Sequence, residues 1–317
     1  MYLCLIVPVS LFANYQWDRS LPIQPIPLTS GQDPLKVALG KKLFNDPRLS
    51  RDNVFSCASC HQLIQGGDDG LQRSLTIKTG QNSVNTPTVF NSRYNFKQTW
   101  GGYFKTLEDQ VEGGILFSDH GNSSWPEVLA KLQPDQAYQA EFKKIYTNEI
   151  RRENILDAIA SYERSLITPN SRFDQYIRGN AHAITEDEKR GYKYFKEYGC
   201  VACHQGVNVG GNMYQKFGLF SDYFKARGNI IAEDYGLFNV TGDEKDKFVF
   251  RVPGLRNVEV TGPYLHDGSV QDLDKVVKIM ARYQLGTSIS EDRVKQIVSF
   301  LKTLTGEYEG KLLVDMK

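Results

Sequence analysis

The stretches Cys57-Ala-Ser-Cys60-His61 and Cys200-Val-Ala-Cys203-His204 share the spacing C-x-x-C-H and decide the fold. This spacing is the attachment signature of c-type haem. Two thiols three positions apart on a helical turn can both reach the vinyl groups of one haem, and the adjacent histidine presents a ring nitrogen to the iron. Two copies in one chain predict two covalently bound haems, with His61 and His204 as proximal ligands.

Three other uses of these four cysteines fit the spacing less well. Two disulfides are possible in an exported chain. A redox-active dithiol is expected in a βαβ context, which the sequence lacks. A zinc site needs further ligands at short spacing, and the other histidines, His120, His182 and His266, are scattered. The fifth cysteine, Cys4, lies in an apolar run at the start of the chain and is expected to have no role in the mature protein.

Composition sets the size of the protein and excludes one class of partner. The chain has 317 residues, enough for two domains that each bury a core. Lys and Arg number 38 against 37 Asp and Glu, so no overall field attracts nucleic acid, and we expect no nucleic-acid partner. The 17 Tyr, 17 Phe and 3 Trp suit the apolar walls of large flat cofactors, although they suit a plain core equally well.

The first residues, Met1 to Ala13, form an apolar run without charge, followed by polar sequence. This pattern is typical of the apolar region of a secretory signal peptide. The run is short for a transmembrane helix, although a non-cleaved N-terminal anchor is the alternative. We therefore expect export to the periplasm, with residues 1–13 as the signal or anchor.

Helix signals dominate the rest of the chain and predict an all-α fold with little β structure. Asp33 and Pro34 are typical of a helix start, Thr185 to Glu188 forms a capping box, and Ser290 precedes a helix that Gly306 is expected to end. Residues 154–167 have helical periodicity, and Pro169 follows them.

The same plan occurs twice along the chain. In each half a capped amphipathic helix precedes C-x-x-C-H, and a long irregular stretch (66–95 or 206–263) precedes a closing helix. Such loops are unusual in compact domains unless they pack on a cofactor. The pattern predicts two cytochrome c-like haem domains, 14–180 and 181–317, with the boundary near residues 170–183.

Five blocks of sequence, spread over the chain from Asp33 onward, resemble the bacterial di-haem cytochrome c peroxidase family, which includes the MauG group of tryptophan-modifying proteins. The blocks are Leu43-Phe-Asn-Asp-Pro-Arg-Leu-Ser50, Asn85-Thr-Pro-Thr-Val-Phe-Asn91, Phe248-Val-Phe-Arg-Val-Pro-Gly-Leu-Arg-Asn-Val258, Thr261-Gly-Pro-Tyr-Leu-His-Asp-Gly268 and Val276-Val-Lys-Ile-Met-Ala-Arg-Tyr-Gln-Leu-Gly286.

This resemblance assigns different tasks to the two haems. It implies that the haem on His61 is peroxidatic and that the haem on His204 transfers electrons. Met280 falls on the family's distal thioether ligand of the second haem, and a His/Met pair raises the reduction potential. The MauG group has a tyrosine at that position, whereas Tyr283 lies one helical turn further on. Met280 therefore favours a peroxidase.

The resemblance also implies roles around the two haems. Trp100 falls on the family's tryptophan between the haems, an expected electron relay. Arg251 and Arg256 are expected to pair with haem propionates, because a guanidinium matches a carboxylate in a bidentate way. The family's interdomain calcium ion, which prefers hard oxygen ligands, is expected at three positions: Asn85, Thr261 and Pro263.

Two departures from the family pattern concern the first haem. The family has a distal glutamate ten positions after the glutamine matched by Gln110, and here that position is His120. A histidine can move the proton that peroxide cleavage requires. We therefore expect His120 to be the acid–base residue and Gln110 its hydrogen-bonding partner, with Asp119 and Glu112 as weaker candidates. The second departure is Ile77, which replaces a distal histidine of many members and predicts an iron open to peroxide in the oxidised protein.

These inferences predict a peroxidase that reduces hydrogen peroxide with electrons from a small c-type cytochrome or a cupredoxin. Two alternatives stay open: a MauG-like oxidase that modifies aromatic residues of a partner protein, and a di-haem electron carrier without catalysis. Members of the family are commonly dimers, so a homodimer is possible. Two haem c groups and one calcium ion are the expected cofactors.

Overall fold

The computed structural model describes residues 20–74, 84–117, 121–147 and 149–317. Over these ranges the chain is mostly helical, with two small two-stranded antiparallel sheets, as the sequence predicts. The helices are α1 (Pro34–Phe44), α2 (Leu107–Leu116), α3 (Trp125–Leu132), α4 (Gln136–Ile145), α5 (Arg152–Ser165), α6 (Arg172–Ile177), α7 (Glu186–Glu197), α8 (Tyr223–Arg227), α9 (Phe238–Thr241), α10 (Leu273–Ile279) and α11 (Glu291–Lys302). The strands are β1 (Tyr214–Lys216), β2 (Val249–Arg251), β3 (Glu307–Tyr308) and β4 (Lys311–Leu312).

The strands pair locally. Tyr214 of β1 lies opposite Arg251 of β2, and Glu307 of β3 lies opposite Leu312 of β4. Strands β1 and β2, with α8 and α9, divide the stretch 206–263, so it is less irregular than the sequence suggests. None of the helices in the described ranges is long and apolar enough to cross a membrane, and the predicted signal segment, residues 1–13, lies outside those ranges.

Capping explains where most of the helices begin. The side chain of Asp33 accepts from the backbone N–H of Leu35 and Pro34 occupies the first turn of α1, as expected. Thr185 and Glu188 form the predicted capping box of α7. Helix α5 begins two residues before the predicted start and ends two residues before the predicted end. Boundary shifts of this size are usual for helices.

Gly306 does not terminate α11, which contradicts the prediction. The helix ends at Lys302, and the hydroxyl of Thr303 donates to the carbonyl of Phe300 at 2.6 Å. Gly306 instead lies against another part of the chain, where a Cβ atom would come within 2.0 Å of the carbonyl oxygen of Thr168. Its lack of a side chain permits close backbone approach rather than a helix cap.

Two hydrophobic cores hold the molecule together. The first packs α1 on α5, with Leu43, Phe44 and Tyr162 among its buried residues. The second packs α7 on α11, with Phe195 and Phe300 in its centre. Each core adjoins one C-x-x-C-H motif, since Cys57 packs against the first and Cys200 against the second.

The two ends of the described chain cross between the cores. Ile23, near the start, is fully buried in the second core, and the backbone N–H of Gly206 donates to the carbonyl of Pro22 at 2.7 Å. Leu313, near the end, is buried in the first core. The predicted division at residue 180 therefore does not describe either end of the chain, because apolar side chains there pack on the opposite half.

Candidate functional site

Both C-x-x-C-H motifs have the same local conformation. Each begins a 3₁₀ turn, Cys57–Ser59 in the first half and Cys200–Ala202 in the second. In each, the backbone N–H of the histidine donates to the carbonyl of the first cysteine, at 3.0 Å for His61 and 2.9 Å for His204. The turn brings both cysteines and the histidine of a motif close together, the arrangement that covalent haem requires.

The two proximal histidines are oriented in the same way. The Nδ1 atom of His61 lies 3.2 Å from the carbonyl oxygen of Gly67, and that of His204 lies 3.3 Å from the carbonyl oxygen of Val209. A carbonyl partner holds the proton on Nδ1, so Nε2 keeps the lone pair that binds a metal. Burial lowers the pKa of His204 to about 4, which also favours the neutral ring.

The four cysteines of the motifs are free thiols rather than disulfides. Burial raises the pKa of Cys57 to about 12, and those of Cys60 and Cys200 to about 11. Thiols with such high pKa values are poor nucleophiles and poor redox dithiols. The described part of the chain also contains no group of three or more His, Cys, Asp or Glu side chains able to hold a metal ion. Both observations weigh against the dithiol and zinc alternatives.

A large cavity surrounds the second motif. Cys200, Cys203 and His204 line it together with Met280, which therefore lies at the same site as the predicted proximal ligand. Met280 begins a π-helical turn, Met280–Gln284, that continues α10. Such turns occur frequently at functional sites. The rest of the wall is largely apolar and includes Phe195, Leu273 and Val276 among other residues.

Tyr283, the residue that bears on the MauG alternative, is not among the residues lining this cavity. Its ring packs edge-on against Tyr223, with 5.2 Å between centroids. The carbonyl of Tyr283 accepts from the backbone N–H of Phe220 at 3.0 Å. The tyrosine is thus one turn from Met280 in sequence and belongs to an aromatic cluster that adjoins the cavity wall through Phe217 and Phe250.

Arg251 provides a test of whether this cavity suits haem. The side chain is 5 % exposed, lines the cavity, and donates from Nε to the carbonyl of Thr99 at 3.1 Å. Its guanidinium has no carboxylate partner within the described ranges. Burial lowers the pKa of Arg251 to about 10. A buried cation without a counter-charge is costly, and a haem propionate would supply that charge, so the donors and the wall fit the cofactor.

Arg256 does not have the free guanidinium that the propionate prediction requires. Its Nη1 lies 2.7 Å from Oδ1 of Asp174, and both side chains are buried. The remaining donors point to Ser171, Val207 and Gln24. Four donor contacts are therefore made within the protein, and this arginine joins α6 to the chain near residue 24 rather than offering a bidentate site.

Trp100 lines the cavity beside a buried polar network. Its indole N–H donates to the carbonyl of Asn85 at 2.9 Å, and its ring lies edge-on to His266. The imidazole of His266 donates to Asp234 at 2.7 Å, and Arg227 pairs with both Asp234 and Asp267. Burial alone would raise the pKa of Asp234, but the hydrogen bonds from His266 and Arg227 hold it well below its usual value.

The residues of the predicted calcium site, Asn85, Thr261 and Pro263, line the same cavity. The backbone N–H of Asn85 donates to the carbonyl of His266 at 2.8 Å, which joins the segment around residue 85 to the loop after residue 261. The Gly262–Pro263 peptide bond in this loop is cis. Amide and carbonyl oxygens are donors that calcium accepts, although this set carries no charge.

The distal side of the first haem is only partly described. Gln110 lies on α2 and is half-buried, whereas His120, Asp119 and Ile77 lie outside the described residues. Glu112, the weaker candidate on α2, is paired with Arg152 (2.6 Å) and accepts from the indole of Trp125. The hydrogen bond from Arg152 lowers the pKa of Glu112, so it stays ionised and makes a poor general acid.

Besides Asp68, which is buried beside the first motif and whose pKa burial raises to about 7, sequence reasoning missed two further buried acidic groups. One is the network of Asp234 and Arg227 described above. The other is Glu163 on α5, a residue of the first core. Asp267 had a signal, since it follows His266 directly within a quoted block. Glu163 had none, because a glutamate next to Arg164 in the last turn of a helix resembles a solvent-facing one.

Comparisons with known proteins agree with this geometry. Residues 34–182 match the family model described as di-haem cytochrome c peroxidase. The chain is 43% identical over 288 residues to cytochrome c551 peroxidase of Nitrosomonas europaea, covering 90% of this chain and 84% of that protein. It is 45% identical over 291 residues to cytochrome c peroxidase Ccp of Escherichia coli K12, covering 92% of this chain but only 62% of that longer protein.

More distant likenesses extend to MauG. The MauG protein of Methylophilus methylotrophus is 30% identical over 328 residues, covering 96% of this chain and 95% of that protein. A solved structure of a MauG-like protein associated with microbial copper homeostasis has a TM-score of 0.77 at 27% identity, covering 93% of this chain and 96% of that one. The diheme peroxidase BthA of Burkholderia thailandensis E264, at 21% identity and a TM-score of 0.71 over 86% of each chain, shares the fold.

Proposed function

Because the chain belongs to the di-haem cytochrome c peroxidase family, we propose that it reduces hydrogen peroxide to water with electrons from a small donor protein. The observation that carries the proposal is the single cavity shared by His204 and Met280, since a His/Met site suits a haem that accepts electrons. The reaction consumes two electrons and two protons for each peroxide and yields two waters. The enzyme is thus an oxidoreductase with two haem c groups.

The chemistry is divided between the two halves. A haem held by Cys57, Cys60 and His61 would supply the redox chemistry of O–O cleavage, and a haem held by the second motif would supply electrons. His61 and His204 would hold these groups through Nε2, because their Nδ1 atoms are bonded to backbone carbonyls. Arg251 would neutralise one propionate in the cavity.

We assign proton transfer to His120 and hydrogen bonding of peroxide to Gln110. A base near the iron takes a proton from the near oxygen of peroxide and delivers it to the leaving oxygen, and histidine has an ordinary pKa suited to this. Ile77 cannot bind iron, so the first site admits peroxide without prior reduction of the protein. An EPR spectrum of the oxidised protein with two low-spin six-coordinate haems, one of bis-histidine type, would refute the open site.

Trp100 is the proposed relay between the haems. It lies in the wall of the second cavity and is tied through its indole N–H to Asn85. The edge-on contact of its ring with His266 also joins it to the loop after residue 261. We further propose that Asn85, Thr261 and Pro263 bind calcium and so fix the distance between the halves. Removal of calcium with a chelator is expected to lower the melting temperature and slow electron transfer between the haems.

We infer the partner, the location and the domain organisation by analogy with the same family. The donor is a small c-type cytochrome or a cupredoxin, and we place the enzyme in the periplasm with residues 1–13 as its signal or anchor. Residues 14–180 carry the peroxidatic haem and residues 181–317 the electron-transfer haem, apart from the crossed ends described above. A homodimer remains a prediction.

Stopped-flow turnover with hydrogen peroxide and a reduced donor cytochrome tests the function. Rapid oxidation of the donor, dependent on peroxide, is the expected result. A long-lived oxidised di-haem state with little donor turnover would instead indicate the MauG-like oxidase, for which the MauG-like fold is the favourable observation. Absence of any reaction with peroxide would indicate an electron carrier.

A further inference from the structure

Glu163 is a buried acid that the proposed chemistry does not use. Its side chain lies on α5 within the first core and the residue is 4 % exposed. The Oε2 atom is buried and has no hydrogen-bond partner. Burial raises the pKa of Glu163 to about 8, against a smaller opposing effect of Arg164. An ionised carboxylate would be costly here, so the group is neutral at pH 7.

The carboxyl group lies beside the first haem motif. The ring of Phe44 packs between His61, at 6.5 Å between centroids, and Tyr162, the residue before Glu163 on α5, at 5.2 Å. Burial and then the charge of Glu163 also raise the pKa of the Cys57 thiol. Cys57 itself packs against the first core, of which α5 is a part. A haem joined to Cys57 would therefore lie near Glu163.

The other charged groups around α5 are already paired. Arg164 forms an ion pair with Glu108 of α2 at 2.5 Å, and Arg93 donates to the backbone carbonyl of Arg164. Helix α1, the other main neighbour of α5, directs its lysines to other acids: Lys36 to Asp157, Lys41 to Glu309 and Lys42 to Glu141. Within the described ranges no cation is positioned as a partner of the Glu163 carboxyl group, so a positive charge on the nearby haem acts on it directly.

We propose that Glu163 is a proton-holding residue of the first haem, neutral when the iron is ferrous and releasing its proton when the iron becomes ferric. The inference rests on the proposed function. Loss of one electron adds one positive charge to the haem, and a carboxylate nearby in a poorly polarisable core stabilises that charge. The electron passes to the second haem or an electrode, and the proton passes to solvent. The coupling is reciprocal, so ionised Glu163 lowers the potential of the first haem.

A redox titration of the complete di-haem protein between pH 6 and 10 tests this proposal. In the wild type the midpoint potential of the first haem is expected to fall as pH rises through about 8. Glu163→Gln keeps the shape of the side chain and removes this fall, while the potential of the second haem stays unchanged. Haem propionates and Asp68, whose pKa burial raises to about 7, titrate in every variant, so the difference between variants isolates Glu163. Glu153→Gln, which removes an exposed acid of the same helix, is the matched control and retains the fall.

An unchanged pH dependence in Glu163→Gln, or a wild-type potential that is constant near pH 8, would overturn the proposal. If the variant fails to fold or to attach haem, a redox-difference infrared spectrum of the wild type decides the question. It must show a protonated carboxyl band that is lost on oxidation, and its absence refutes the coupling. Peroxide turnover measured on the same sample separates this outcome from failure of the peroxidase function.

Discussion

The two loops that hold the proximal histidines perform one task with different residues. In the first half the carbonyl next to His61 belongs to Gly67, whose φ is +82°. In the second half the carbonyl next to His204 belongs to Val209, whose φ is +51° and whose side chain is fully buried. Left-handed backbone is costly for a β-branched residue. The hydrogen bond therefore fixes the backbone conformation, and the second half accepts the strain while burying an apolar side chain in its core.

The distal sides differ more than the proximal ones. In the second half Met280 reaches the cavity from a helix far along the chain. In the first half the candidate acid–base residue, His120, is known from the sequence alone. The comparison shows that attachment is specified by about a dozen consecutive residues, whereas reactivity depends on residues brought in from elsewhere.

Replacement of His120 should have the largest effect, because it slows the reaction of the first half and leaves the second half unchanged. His120→Ala is expected to slow peroxide cleavage by about 10²–10⁴-fold, the usual contribution of a general acid–base residue. Reduction of the second haem by the donor should be unaffected, and stopped-flow kinetics measure both steps. Asp109→Asn, an exposed acid on α2, is the control. Peroxide cleavage at the wild-type rate in His120→Ala would transfer the role to another group.

The next largest effect is expected at the first proximal loop. A Cβ atom on Gly67 would lie 2.6 Å from Oγ1 of Thr88 and 2.8 Å from Phe90. Gly67→Ala should therefore destabilise the protein by about 2–4 kcal/mol through backbone strain and overpacking. The His61 haem should also change its spectrum. Thermal unfolding measures the loss, and Gly70→Ala, a loop glycine with open surroundings and a φ of +64°, separates strain from overpacking. Equal losses in both variants would contradict this account.

Loss of the distal thioether should affect only the second half. Met280→Leu removes the sulfur and keeps the volume, so the second haem is expected to lose its His/Met spectrum and its potential to fall. Donor-dependent turnover should drop by at least about tenfold, because a low-potential haem accepts electrons poorly. Tyr283→Phe, one turn away and outside the cavity lining, should behave as wild type. An unchanged spectrum in Met280→Leu would exclude Met280 as the ligand.

The smallest effect is expected at the second proximal loop. Val209→Gly removes a left-handed strain of about 1–2 kcal/mol and loses about 1.5–3 kcal/mol of apolar burial. The net destabilisation is about 1 kcal/mol. Val209→Ala loses much of the burial and retains the strain, so urea unfolding should find it no more stable than the glycine variant. Greater stability of the alanine variant would mean that Val209 is not strained.

Local signals in the sequence predicted the local structure well. The Pro34 helix start, the capping box at Thr185 and the two C-x-x-C-H motifs each depend on residues a few positions apart, and the structure has the helices and turns expected of them. The prediction that Met280 lies at the same site as His204 came from resemblance to a family, because no local pattern relates residues so far apart.

Failures arose where distant parts of the chain meet. Arg256 lines the cavity where a propionate was expected, but its ion pair with Asp174 was not foreseen, because Asp174 lies on a different helix and no spacing rule connects the two residues. Gly306 was read as a helix end because its close approach to Thr168 is invisible in sequence. The neutral, buried state of Glu163 depends on packing between α1, α2 and α5, which composition does not reveal.

The crossing of the two chain ends sets an order for assembly. Because Leu313 belongs to the first core, the amino-terminal half completes its packing only after the segment around residue 313 has returned to it. Ile23 must likewise wait for the second half before it is buried. Each haem-binding turn therefore adjoins a core that its own half cannot complete, so covalent haem attachment to an exported chain precedes the final closure of both ends.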